Sequence, residues 1–160
     1  MNLSPSLRAA SVGDFPAVRE IFTEYARSLG YHICFASFQS ELEGLPGDYA
    51  PPRGGLWLVR AGNEVAGCVA LRPVTPTIGE IKRLYVRPAF RGHQLGRLLV
   101  EAGIGAARTQ AYDSLQLDTL PTMTAAIRLY QAMGFRPVAT DTVRETDAPL
   151  LMQLLLRGRS

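Results

Sequence analysis

A single mixed sheet with helices on its faces, an α/β or α+β architecture, is what this sequence predicts, and three observations predict it. Strand-like and helix-like segments interleave along the chain instead of falling into separate blocks. Gly62-Asn63 sits between two apolar runs as a two-residue hairpin signal, so part of the sheet is antiparallel. The 160 residues are 47% hydrophobic and 19% charged and show neither an internal repeat nor a linker-like stretch, which points to one domain over 1–160 with a core of its own.

The elements follow in order. Leu7 to Ala10 is a short apolar run after Pro5 and reads as a first strand. Gly13-Asp14-Phe15-Pro16 opens a helix in which Val18, Ile21, Phe22, Tyr25, Ala26 and Leu29 recur at helical spacing, with Gly30 as its stop. Ile33 to Leu45, containing Glu41 and Glu43, predicts a second, shorter helix. Pro46 to Gly55 is dense in Pro and Gly and predicts a loop.

Leu56 to Ala61 and Glu64 to Val74 are the two arms of the hairpin. A further strand spans Ile78 to Val86, and Pro88 limits its continuation. Strict alternation along it would put Glu80, Lys82, Leu84 and Val86 on one side. Leu95 to Ala111 is the clearest helix, with Leu95, Leu98, Leu99, Ala102 and Ala106 on one face. Gly103 and Gly105 each cost it about 1 kcal/mol relative to alanine, so close packing against another element is expected there. Leu115 to Asp118 is a strand and Thr122 to Met133 a helix stopped by Gly134. Pro149 to Leu156 is a final strand, apolar enough to lie inside a sheet.

Composition excludes several classes. The net charge is +3, and Lys82 is the only lysine among 17 basic residues. Lys82, Arg83, Arg87, Arg91 and Arg97 cluster locally without the dense or aromatic-interleaved pattern of a nucleic-acid binder, so the cluster reads as a site for an anionic ligand. Cys34 and Cys68 do not make a disulfide framework, and Cys68 lies in an apolar run as a buried thiol. Neither cysteine has a metal-ligand partner at usable spacing, so no metal is expected. There is no signal-peptide pattern and no apolar stretch of about 18 residues, so the expectation is a cytoplasmic protein without a membrane or nucleic-acid partner.

The segment from Arg87 to Arg97 joins a strand to a helix and carries Gly92 and Gly96 with Arg91 and Arg97 beside them. Free N–H groups in the first helical turn, the positive end of the helix dipole, and glycines that admit a close ligand together make an anion site. Two guanidinium groups would add charge. G-x-x-x-x-G-K-[ST] and G-x-G-x-x-G are both absent, which argues against a P-loop nucleotidase and a Rossmann dinucleotide site.

Ile81-Lys82-Arg83-Leu84-Tyr85-Val86-Arg87-Pro88, followed by Arg91-Gly92-His93-Gln94-Leu95-Gly96-Arg97, resembles the coenzyme A signature of the GNAT superfamily of N-acetyltransferases. Leu129-Tyr130-Gln131-Ala132-Met133-Gly134-Phe135 is similar to that family's later L-Y-x-x-x-G-F element. The resemblance covers nearly the whole chain. It implies a mixed, mostly antiparallel sheet of about six or seven strands flanked by about four helices. It implies direct transfer of an acetyl group from acetyl-coenzyme A to a primary amine of an unidentified small molecule or peptide, both bound at once. A homodimer is also common in the family.

The resemblance implies roles for residues. Backbone groups of Leu84, Tyr85 and Val86 should meet the pantetheine arm and the acetyl carbonyl. Arg91, Gly92, His93, Gln94, Leu95, Gly96 and Arg97 should hold the diphosphate. Tyr130 matches a tyrosine that protonates the departing thiolate, a task suited to a phenol of pKa about 10. Glu80 matches a glutamate that takes the amine proton in some members. His32, Tyr49 and Asp118 are candidate acceptor contacts, and Tyr85 is another; the segment from Cys34 to Gly55 should shape the acceptor pocket.

Two positions depart from the pattern. Gln94 stands where glycine is usual, and Met123 where an asparagine often opens the tyrosine helix. These departures keep a non-catalytic acyl-coenzyme A binding or sensor domain open as an alternative. An RNA or protein partner module using the arginine cluster is a third reading, with steep salt dependence as its mark.

Overall fold

The computed structural model describes residues 4–29, 35–138 and 150–156. Seven strands, β1 (Pro5–Ala9), β2 (Gly55–Ala61), β3 (Glu64–Pro73), β4 (Ile78–Val86), β5 (Ser114–Thr119), β6 (Arg136–Pro137) and β7 (Leu150–Leu155), form one sheet in the order β1-β2-β3-β4-β5-β7-β6. All neighbours are antiparallel except β4 and β5, which run parallel. Four helices cover the sheet: α1 (Phe15–Leu29), α2 (Phe35–Glu43), α3 (Leu95–Thr109) and α4 (Thr124–Ala132).

Two apolar clusters, one per face, hold this arrangement. α1 and α2 contribute Val18, Ile21, Phe22, Phe38 and Leu42 to one, where they meet Leu58, Cys68, Ala70 and Tyr85 of the sheet. α3 and α4 contribute Leu95, Leu99, Val100 and Tyr130 to the other, against Val59, Val69, Leu71, Ile81 and Leu117. Residues 68 to 71 of β3 thus alternate between two buried faces, which explains why that strand reads as a continuous apolar run. Each fully buried leucine contributes about 1.5–3 kcal/mol by leaving water.

All six expected strands are present; β6, two residues long, carries too little pattern to be read from sequence. Gly62 (φ +64°) makes the expected hairpin turn between β2 and β3. The expected close packing holds at Gly103, where a Cβ would run into the Ile81 side chain. It fails at Gly105, which faces open space. The turn-rich 46–55 segment is pinned by Arg53, which donates to the carbonyls of Gln110 (2.9 Å) and Pro76 (2.6 Å) and lies 4.0 Å over the Tyr112 ring. His32, Cys34, Gly30, Pro149 and the first residues of the expected second helix lie outside the described residues. Among the described residues no helix is long and apolar enough to cross a membrane.

β4 departs from its expected alternation. Arg83 has φ +60°, and the register against β3 shifts between Cys68↔Tyr85 and Ala70↔Lys82, so β4 carries an extra residue. The Cys68 thiol donates to the displaced Arg83 carbonyl at 3.2 Å. Ile81, Leu84 and Val86 therefore pack on the α3 face, while Tyr85 belongs to the α1–α2 face. Glu80 and Lys82, flanking Ile81, do not share a side with Leu84 and Val86: the bulge inverts the parity of the strand.

Candidate active site

β4 and β5 pair over three positions, Ile78↔Ser114, Gly79↔Leu115 and Glu80↔Gln116, and then part. From Ile81 onward the edge of β4 facing β5 has no strand partner, so alternate backbone N–H and C=O groups point into the gap. A cleft occupies this opening. Ile81, Lys82, Arg83 and Leu84 line it from β4, Leu117, Asp118 and Thr119 from β5, Met123 and Tyr130 from the α4 side, and Tyr25 from α1.

β4 leads through a short 3-10 turn at Pro88–Phe90 into the corner that opens α3. Gly92 takes φ +86° and Gln94, the N-cap of α3, takes φ +64°. Glutamine thus occupies a left-handed position, at a cost of about 1–2 kcal/mol that glycine would avoid. Among the described residues the amides of Gly92, His93 and Gln94 donate to no backbone carbonyl, and those of Leu95, Gly96 and Arg97 form the first helical turn. Six consecutive N–H groups at the positive end of a 15-residue helix are therefore open to an anion. His93 is exposed in the turn.

The two arginines of the corner are partly committed to structure. Arg91 donates from Nε to the Val86 carbonyl at 2.9 Å and lies 5.7 Å over the Tyr85 ring, bracing the end of β4. Arg97 pairs with Glu101 at 3.1 Å on the exposed face of α3. The amides, not the guanidinium groups, are the donors already aimed.

Tyr130 is 6% exposed and packs edge to face with Phe135, ring centres 5.9 Å apart. Gly134 (φ +100°) ends α4 and folds the chain back, so that the Phe135 amide donates to the Tyr130 carbonyl at 2.9 Å. Leu129 meets the first turn of α3, where a Cβ on Gly96 would lie 3.2 Å from its Cδ2. The two sequence elements are thus one packed unit. Burial pushes the Tyr130 phenol well above its ordinary proton affinity and keeps it protonated.

The remaining candidates fall at different depths. Glu80 is buried, and Arg72 holds its Oε1 at 2.8 Å; it is not among the cleft-lining residues. Asp118 lines the cleft. Tyr49 stands in the core, 4% exposed and edge to face with Phe22, rather than on the cleft: its apolar ring is worth more buried than its hydroxyl is worth wet. Tyr85 gives its hydroxyl to Glu24 at 2.9 Å. Glu41 is engaged by Arg83 through two bonds of 2.9 and 2.7 Å, which tie α2 to the bulge. Tyr25 and Thr119 are cleft residues that no sequence motif marks; among the described residues the buried Thr119 Oγ1 has no hydrogen-bond partner. Met123 replaces a polar N-cap with a thioether that faces the cleft.

Comparison with known proteins agrees with this geometry. The model of the acetyltransferase (GNAT) family matches residues 15–135. An uncharacterised N-acetyltransferase of Schizosaccharomyces pombe is 38% identical over 125 residues, 77% of each chain. One of Escherichia coli, also uncharacterised, is 28% identical over 144 residues, 84% of each chain. Among solved structures, an acetyltransferase from Streptococcus agalactiae superposes with TM-score 0.78 at 19% identity, covering 97% of this chain and 100% of that one. The PaiA N-acetyltransferase from Thermoplasma acidophilum, solved in complex with coenzyme A, superposes with TM-score 0.75 at 16% identity, covering 96% and 99%. With a parted β4–β5 edge, an open amide corner and the Gly96–Leu129–Tyr130 packing on one sheet, this chain belongs to the GNAT family of acetyltransferases and is an acyltransferase enzyme.

Proposed function

We propose that the protein transfers an acetyl group from acetyl-coenzyme A directly to a primary amine, with both substrates bound together. The observation that carries this reading is the cleft where β4 leaves β5, with the amide corner of α3 following β4 in the chain and Tyr130 in the cleft wall. The residues fit the donor. Six open amides suit a diphosphate, and the unpaired edge of β4 suits the amide-rich pantetheine arm.

Acetyl-coenzyme A supplies an activated thioester, whose C–S bond breaks as the amine nitrogen bonds to the acyl carbon. The amides from Gly92 to Arg97 would bind the diphosphate. Backbone groups at Leu84, Tyr85 and Val86 would orient the arm and stabilise the developing oxyanion. Tyr130, held neutral by burial, would give its proton to the departing sulfur. Glu80, anchored by Arg72, would receive the amine proton through water, because it does not line the cleft itself. Holding the two reactants together supplies much of the remaining acceleration.

The test is thiol release from acetyl-coenzyme A over a panel of amines. The reading predicts turnover with at least one amine. Tyr130→Phe should lower kcat by about 10²–10³-fold with little change in KM for the donor. Unchanged turnover in that variant would remove Tyr130 from the mechanism. Donor binding without thiol release to any amine would favour the acyl-coenzyme A sensor.

A further inference from the structure

We infer that the acceptor is an amine that also carries a carboxylate, and that Lys82 holds this carboxylate in the β4–β5 cleft. The inference rests on the acetyl-transfer reading above and specifies the chemistry of its second substrate.

The charge balance of the cleft points this way. Arg72 is neutralised by Glu80 at 2.8 Å, and Arg83 by Glu41 at 2.7 Å. Lys82, the only lysine in the chain, lies between these pairs in sequence and lines the cleft half-buried. Among the described residues no hydrogen bond or ion pair engages its ammonium. Half-burial strips part of the water from this ammonium, and a ligand that brings an acceptor replaces it. Burial in fact lowers the proton affinity of Lys82, and the attraction of Glu80 and Asp118 does not offset it. Asp118 lines the same cleft and, alternating with Leu117, falls on the Lys82 side, whereas Thr119 falls with Leu117 on the α3 side. An ammonium with a carboxylate on the same side matches an acceptor that carries both charges, its carboxylate on Lys82 and its amine toward Asp118. They match a polyamine poorly, since it brings no anion to Lys82.

Placement agrees with the charge. The bulge at Arg83 puts Lys82 on the side of β4 opposite Ile81 and Leu84, away from the face that packs on α3. The donor corner opens α3. Lys82 therefore meets what enters the cleft from the α1–α2 side, where Tyr25 also lines it. An amine that approaches from there with its carboxylate on Lys82 is anchored at one end and leaves its nitrogen free for the thioester.

The test uses matched pairs of free amino acids and their carboxamides, with polyamines, aminoalkyl phosphates and short peptides as further arms, in the thiol-release assay. The amine of a free acid is the more strongly protonated, so reactivity alone favours the amide, and preference for the acid reports recognition. For the best pair the acid should exceed its amide by about tenfold or more in kcat/KM, the worth of one charge-assisted contact. Lys82→Met should cut that ratio about tenfold, chiefly through KM, and Lys82→Arg should restore part of it. Thermal stabilisation by acetyl-coenzyme A, measured on the same variants, should persist and shows that fold and donor site are intact. A ratio unchanged in Lys82→Met would overturn the inference. So would preference for amides, polyamines, phosphates or peptides, or stabilisation by acetyl-coenzyme A with no carboxylate-bearing amine turned over. Neither stabilisation nor thiol release would instead sink the acetyl-transfer reading itself.

Discussion

At the scale of the residue, Gln94 and Tyr130 show how a motif position acquires its physical meaning. Gln94 sits at φ +64° with no side-chain cap bond, so it bears left-handed strain without a visible return inside the chain. Gln94→Gly should stabilise the free protein by about 0.5–1 kcal/mol, once the extra freedom of glycine in the unfolded chain is subtracted. In a thermal melt this is a rise of about 1–4 °C. A fall in Tm would mean that the glutamine side chain supports the corner in a way the hydrogen bonds do not reveal. Tyr130 was legible from sequence because its neighbours explain it: Gly134 turns the chain, Phe135 covers the ring, and Leu129 fits Gly96. Lys82 was legible only as one member of a basic cluster read as an anion site, and Thr119 was not legible as a cleft residue. A lone lysine among arginines is a weak signal, and a threonine near a strand end is ordinary.

At the scale of the element, the strands and helices followed from periodicity, and the failures have local causes. Alternation along β4 was misread because a bulge adds one residue without altering the composition, and the positive φ of Arg83 has no sequence mark. The two interior glycines of α3 look alike in sequence and differ in space. Gly105 is exposed with nothing near its missing Cβ, so Gly105→Ala should gain about 1 kcal/mol of helix propensity, read as a rise of about 2–4 °C in Tm. No gain there would show that the backbone of α3 is not in ordinary helical geometry.

The entry to α1 makes a pH-dependent prediction. Asp14 accepts from the Ser11 amide at 2.9 Å and the Ser11 hydroxyl at 3.2 Å, with Arg60 at 3.3 Å and Arg8 at 3.7 Å. The Ser11 amide is the main cause that holds its carboxyl below the ordinary range, against the opposing effect of burial. A lowered native pKa adds stability that is present above about pH 4 and lost as pH falls through the native value. Asp14→Asn should therefore cost about 1 kcal/mol at pH 7, and in acid denaturation profiles the gap to the parent should close as pH falls through the lowered native value. A gap independent of pH would assign the effect to packing.

At the scale of the whole molecule, the central strands of the sheet are buried on both faces, and the sheet is opened at one place. β4 pairs with β3 on both sides of its bulge and with β5 at only three positions. The opening places backbone groups, Tyr130 and Lys82 around one cleft without breaking the two cores that hold it. The overall architecture was readable because each core stripe repeats along its element. The cleft was not, because it arises from strands that stop pairing, and no single segment encodes that divergence.

The central claim is that the open amides between Gly92 and Arg97 grip the diphosphate of a thioester carrier. Titration calorimetry of the full chain with acetyl-coenzyme A and with S-acetylpantetheine, which lacks the diphosphate, tests it most directly. The account predicts one site for acetyl-coenzyme A and an affinity about 100-fold or more tighter than for the truncated thioester, close to 3 kcal/mol. Equal affinities for the two, or no heat with either, would contradict it.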